Sequence, residues 1–136
     1  MHHHRKVITI KPDDLDDNQH VNNVRYVFWV QEIAKEHWQN TVSETTQERL
    51  FWVVRNHHIT YYESAVLGDQ IILTTEVIDW RGAISVRQVE MKNHRTGNLL
   101  VKATTDWCAV DSKNMRPTKI PEEIKQLFSN NNEKLA

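Results

Sequence analysis

The chain contains one cysteine, three glycines and three prolines in 136 residues, and no apolar run long enough to cross a membrane. Each shortage excludes something. A lone thiol, Cys108, cannot close an internal disulfide, and such sparing use fits a reducing cytoplasm, where we expect the protein to reside. The lack of a stretch of ~20 apolar residues argues against a transmembrane helix. Met1-His2-His3-His4-Arg5-Lys6 leads into an alternating segment, not into the continuous apolar one of a signal peptide. A net charge of -1 gives no global field to attract nucleic acid. His57 and His58 are neighbours in an alternating run and point to opposite faces of a strand, and no other histidine or cysteine spacing suggests zinc. We therefore expect no metal and no cofactor. The leading histidines, native or a cloning remnant, are set aside from the functional reading.

What remains is ordinary for a soluble domain: 39% hydrophobic and 26% charged residues, and a length that fits one core. A single domain is expected over 5–128, followed by a polar tail at 129–136. Residues 5–10 form a short β-type run, ended by Lys11-Pro12-Asp13-Asp14. After a polar, unassigned stretch at 40–49, period-two alternation predicts four long strands near 51–62, 69–80, 83–93 and 98–110, arranged as an antiparallel meander. All three glycines fall between these runs, where turns with positive φ want them. In the last strand Leu99, Val101, Ala103, Trp107 and Ala109 share one face, and Lys102, Thr104, Asp106 and Cys108 the other. In the third, apolar parity shifts from Ile84 and Val86 to Val89 and Met91, which predicts a bulge near Arg87 or Gln88. Pro121 then opens a helix through Phe128.

The most apolar helical segment lies between the first strand and these four. Val24, Val27, Phe28, Trp29, Val30, Ile33, Ala34 and Trp38 recur at helical spacing around nearly the whole circumference. A helix apolar on most sides should be buried on most sides. Asn22 or Asn23 makes a good N-cap, and with Asn22 in that place Val21 and Tyr26 stand at the two positions of a hydrophobic staple, although Arg25 occupies the site where a capping box would have Glu or Gln. The order strand, helix, four strands, helix has an α+β solution in which the sheet curls about the helix.

Immediately before that helix, the stretch from Asp14 to Asn23 crowds acids, amides and His20 together. The first free N–H groups of the helix and the positive end of its dipole would lie beside Asp16, Asn18 and His20, a place for a carboxylate, a phosphate or a polarised carbonyl oxygen. An Asp-rich turn before a helix is also commonly a solvated turn with a cap, and Asp17 and Asn22 read that way.

The string Asp16-x-Asn18-x-His20-Val21-Asn22-Asn23, followed by Tyr26, Trp29 and Glu32, resembles the hotdog-fold thioesterases. The resemblance is closest to the plant-type acyl-ACP thioesterases and their bacterial relatives, and more distant to the 4-hydroxybenzoyl-CoA thioesterase group. Tyr62, Ala65, Gly68 and Asp69, with Arg116-Pro117 and Ile120-Pro121, extend it more loosely along the chain. It implies an α+β hotdog fold, a long antiparallel sheet wrapped around a central helix. It also implies hydrolysis of an acyl-CoA or acyl-ACP thioester in a homodimer or homotetramer with sites at the subunit interface. In that frame Asp16 is the base or nucleophile, Asn18 orients water or carbonyl, His20 shares proton transfer, and the backbone N–H of Asn23 is the oxyanion donor; no substrate-binding residues can be named. An Asp at its ordinary pKa of about 3.9 is a weak base unless a dry acyl pocket raises it.

The plant-type enzymes carry a further acid and cysteine, which fall here on Ala65 and Val66, with Glu63 two residues off. That departure keeps a non-catalytic acyl-thioester-binding module in view. Hotdog hydratases and dehydratases are a further alternative, although they space Asp-x-Asn-x-x-His. Arg87, Lys92, His94, Arg95 and Lys102 form a basic cluster around one hairpin that could meet coenzyme A phosphates or an acidic carrier protein.

Overall fold

The computed structural model describes residues 2–129. Strand β1 (His3–Thr9) is followed by a single 3-10 turn at Pro12–Asp14, helix α1 (Asn23–Thr41) and a short helix α2 (Glu44–Arg49). Next come β2 (Leu50–Tyr61), β3 (Gln70–Arg81), β4 (Ile84–Asn93), β5 (Leu99–Asp111), the two-residue β6 (Arg116–Pro117) and α3 (Glu122–Phe128). The stretch unassigned from sequence thus holds α2, which Ser43 caps by accepting the Thr46 N–H. Of the expected tail, 130–136 lies outside the described residues.

The sheet is antiparallel with the order β1-β3-β4-β5-β2, and β6 continues β5. Only β3, β4 and β5 make a meander. The expected four-strand meander fails because β2 pairs with β5, from Leu50 opposite Asp111 to Tyr61 opposite Val101. The chain then crosses to the far side of the sheet before β3 begins. Local periodicity carries no record of that crossing. Gly68, with φ of 85°, ends it, and its N–H donates to the Ile10 carbonyl.

Helix α1 starts where the sequence places it. The Asn22 side chain accepts the Val24 N–H at 3.0 Å, and Val21 and Tyr26 are both buried, as the staple requires. Tyr26, Trp29, Val30 and Ile33 pack on Ile71, Leu73, Val89, Met91, Val101 and Ala103, so the sheet wraps the helix in the expected α+β hotdog manner. The helix is less enclosed than its composition implies: Val24 and Phe28 lie on an exposed flank, 70% and 47% accessible.

The bulge also differs from expectation. Register slips between Val77 and Asp79 on β3, opposite Arg87 and Val86, while β4 keeps its pairing with β5 unbroken from Ser85 opposite Trp107 to Met91 opposite Val101. Ser85, Arg87, Val89 and Met91 therefore share the interior face. The parity count failed because two polar residues, Ser85 and Arg87, occupy interior positions. Arg87 accordingly leaves the expected basic cluster; Lys92, His94 and Arg95 remain exposed.

Candidate active site

Asp14 ends the 3-10 turn and is buried, its carboxylate accepting the Lys11 N–H at 2.9 Å and the Arg25 Nε–H at 2.9 Å. Arg25 stands at the place of the missing capping-box acid and reaches back from the helix to the turn. It also lies over the rings of Phe28 and Trp29. Sequence reasoning passed over Asp14, although an acid closing a Pro-initiated turn eleven residues before a helical arginine was a signal for it.

Between Leu15 and Val21, which form an isolated antiparallel bridge, the chain makes a closed loop. Asp16 organises it. Its Oδ1 accepts the N–H of Asn18 at 2.8 Å and of His20 at 3.2 Å, while its own N–H donates to the His20 carbonyl at 2.7 Å. Gln19 takes a positive φ of 63° to complete the turn. No hydrogen bond from the described residues reaches Asp16 Oδ2. The structure thus brings Asp16 together with the backbones of Asn18 and His20 but not with their side chains, which are exposed.

The helix N-terminus follows directly. The Val24 N–H is taken by the Asn22 side chain and the Arg25 N–H by the Asn22 carbonyl, whereas no acceptor among the described residues takes the Asn23 N–H. The helix thus opens with a free donor at the positive end of its dipole.

The segment after β2 closes this region from the other side. The Ala65 N–H donates to the Tyr26 hydroxyl at 3.0 Å, and the Val21 N–H donates to the Ala65 carbonyl at 3.1 Å. Burial raises the Tyr26 phenol above its ordinary value, so it stays neutral and serves as that acceptor. Ala65 is fully buried and contributes only backbone; Val66 and Glu63 are exposed, and Glu63 lies near Asn98.

The other sequence candidates fall elsewhere. His57 donates from Nδ1 to Thr105 Oγ1 at 2.7 Å and accepts from the Gln31 amide, and burial lowers its pKa. His58 is exposed on the opposite face. Cys108 is buried on the face opposite Trp107. Among the described residues no group of His, Cys, Asp and Glu could hold a metal, and no helix is long and apolar enough to cross a membrane.

A six-stranded antiparallel sheet around one helix, with an acid-anchored loop at the helix start, defines the class as an α+β hotdog protein. Residues 10–128 match the Thioesterase-like superfamily, and the chain belongs to that family. It is 31% identical over 121 residues to the acyl-CoA thioesterase YbgC of Haemophilus influenzae, covering 85% of this chain and 87% of the relative. It is 25% identical over 121 residues to the long-chain acyl-CoA thioesterase FadM of Escherichia coli, covering 88% and 92%. Among solved structures it superposes on the probable thioesterase YbaW of Escherichia coli with a TM-score of 0.81, over 90% of this chain and 94% of that one, at 24% identity.

Proposed function

We propose that this chain hydrolyses acyl thioesters of coenzyme A or acyl carrier protein to the free acid and thiol, with Asp16 as its catalytic carboxylate. One observation carries the reading: Asp16 is held by two backbone N–H groups through a single oxygen, leaving the other free, a few residues before a helix that opens with the unclaimed Asn23 N–H. A thioester carbonyl seated on that N–H and the helix dipole has its developing negative charge stabilised by fixed donors. The free Asp16 oxygen then activates water or attacks the carbonyl directly. Asn18 and His20 are exposed on the same loop, where a bound thioester would bring them into use, Asn18 orienting the water or carbonyl and His20 sharing the proton transfer.

We read the working form as a homo-oligomer built on the flank that α1 leaves open. Val24 and Phe28 are exposed on the helix, Val53 and Tyr61 on the neighbouring edge strand β2, and a second copy covering both would shield an apolar patch and an unpaired sheet edge together. A cytoplasmic setting fits the single, buried cysteine, Cys108.

The test is free-thiol release from a panel of acyl-CoA and acyl-ACP thioesters. Asp16→Asn is the informative variant, because an amide oxygen still accepts the Asn18 and His20 N–H groups while the base is gone. Turnover in that variant within a factor of two of the parent would remove Asp16 from its role. One observation favours a second reading, the acyl-thioester-binding module: Ala65 and Val66 stand where plant-type enzymes have an acid and a thiol. Tight thioester binding with no thiol release on any substrate would select it.

A further inference from the structure

One cavity of the protein lies away from the Asp16 loop. It has a volume of about 280 Å³ and lies under the C-terminal half of α1, between that helix, α3 and the ends of β2 to β5 nearest them. Its walls are largely aromatic: Trp38 meets Trp52 edge-on at 5.4 Å and stacks on Phe128 at 6.1 Å, Trp80 and Trp107 also line it, and Gln39 and Gln47 add polar groups. Asn23 and His37, which lies beside this cavity, are about 20 Å apart along α1, so one protomer's helix start and its cavity are separate places.

Three polar groups stand in this apolar setting. Arg87, 6% exposed, donates from Nη1 to His37 Nδ1 at 2.8 Å and to Thr75 Oγ1 at 3.2 Å; its Nε and Nη2 have no acceptor among the described residues. Among the described residues no carboxylate lies within ion-pairing distance of it. His37 is a neutral acceptor and no counter-ion: it accepts from Arg87 through Nδ1, its Nε2–H points to His2 Nδ1 at 2.7 Å, and burial, with the Arg87 charge second, holds its pKa at about 3. Ser85 is buried, and among the described residues its hydroxyl has no hydrogen-bond partner. Trp107 Nε1 is the one fully buried side-chain donor without an acceptor among the described residues. Ser85 is paired with Trp107 across β4 and β5, and Arg87 with Thr105, so all three project from one patch of the interior face, with diagonal neighbours ~7–8 Å apart.

A desolvated guanidinium without a counter-ion is costly, and a buried indole N–H without an acceptor adds to that cost. The guanidinium's cost is offset if an acceptor anion enters, and the indole N–H, which no water-sized group reaches in this conformation, is met where its ring shifts towards that anion. A carboxylate suits a guanidinium because two parallel N–H···O bonds form at once, and aromatic walls favour an anion with an apolar body over a hydrated inorganic one. At the ~30 Å³ that one water occupies, the cavity accommodates about nine water-sized groups. Lys35, exposed at the rim, adds a second positive charge at the opening.

We propose that this cavity binds a small apolar monocarboxylate, its carboxylate on Arg87 with the Trp107 indole as neighbouring donor and its body among the tryptophan rings. The site is independent of the thioester chemistry at Asp16, and its test needs no turnover. Sodium octanoate is titrated into the protein while tryptophan emission and the indole N–H resonances are followed, with octan-1-ol as the uncharged control. Saturable octanoate binding that moves the Trp107 indole resonance, with octanol weaker by about tenfold or more, is the expected result. Arg87→Met abolishes the preference for acid over alcohol. Should that variant not fold, Trp107→Phe keeps a ring in place and weakens octanoate severalfold while sparing octanol. Asp16→Asn leaves octanoate affinity unchanged. Equal binding of acid and alcohol, no saturable octanoate binding, or a loss of octanoate affinity in Asp16→Asn would each overturn the proposal.

Discussion

At its N-terminus α1 meets solvent through a loop held together by backbone hydrogen bonds, yet the side chains placed there are exposed and one donor and one carboxylate oxygen are left open. Towards its C-terminus the same helix covers a cavity beside the β3 bulge, in which a guanidinium and an indole N–H are buried without enough partners. The difference is in what is fixed in advance. At the loop, geometry is set and solvation is cheap, which suits a site where charge develops during a reaction. In the cavity desolvation has already been incurred, which suits a site that waits for a charge already formed.

The largest expected effect breaks the first half of that comparison. Asp16→Asn keeps the loop closed and removes only the carboxylate, so thiol release should fall by about 10²–10⁴-fold, the usual range for loss of a general base, with a melting temperature close to the parent's. Asp16→Ala should lose as much activity and also loosen the loop. A variant that loses stability but not turnover would turn Asp16 from a reacting group into a turn former. Next comes Tyr26→Phe, which strands the buried Ala65 N–H. The cost should be about 1–3 kcal/mol, read by urea unfolding, and thiol release should fall with it, because Ala65 is also the acceptor for the Val21 N–H at the end of the loop.

The sequence carried the loop end of the molecule further than the cavity end. Asn22 as cap, the Val21 and Tyr26 staple and the positions of the long strands are local properties, encoded by residue type and spacing within a few positions. Asp16 stood out for the same reason, whereas its grip on the Asn18 and His20 N–H groups depends on a turn with Gln19 at positive φ that no glycine announced. The cavity depends on relations between distant segments. Arg87 became interior because β3, not β4, takes up the extra residue, and one strand's alternation does not report a bulge in its neighbour. His37 was more accessible to reasoning: it follows Ile33 and Ala34 at helical spacing, on the buried stripe of α1, and a polar residue there asks for a buried partner.

His37 gives the cavity end a pH signature. Its pKa in the folded protein is lowered from about 6.5 to about 3, first by burial and then by Arg87, so between those values the unfolded chain binds a proton that the folded chain does not. Stability is therefore greatest above pH 6.5 and declines as pH falls, by at most about 1.4 kcal/mol per unit. His57 is lowered by burial as well and acts in the same direction. Thermal melts between pH 7 and 5 should show the decline in the parent and a shallower one in His37→Gln. The window stops short of Glu36, whose pKa the Lys6 and His4 partners lower, against the pull of burial, from 4.5; its contribution is lost only at more acid pH. An equal slope in both proteins would mean that His37 is protonated in the fold or paired differently.

The smallest effect in stability sharpens the comparison most, because it sets stability against catalysis at one residue. Asn22→Ala removes the acceptor of the Val24 N–H and should cost about 1 kcal/mol. Asn22→Asp keeps the cap and places a negative charge on the positive end of α1, which should raise stability by about 0.3–1 kcal/mol. If the helix start serves only as structure, thiol release follows stability, and the Asp variant is the better enzyme. If the helix start holds a carbonyl oxygen as it becomes an oxyanion, the aspartate competes for the same field, and the more stable Asp variant is the slower one. Measuring kcat for both variants alongside their unfolding free energies separates the two, and a fast, stable Asn22→Asp protein would leave the oxyanion role of the Asn23 N–H without support.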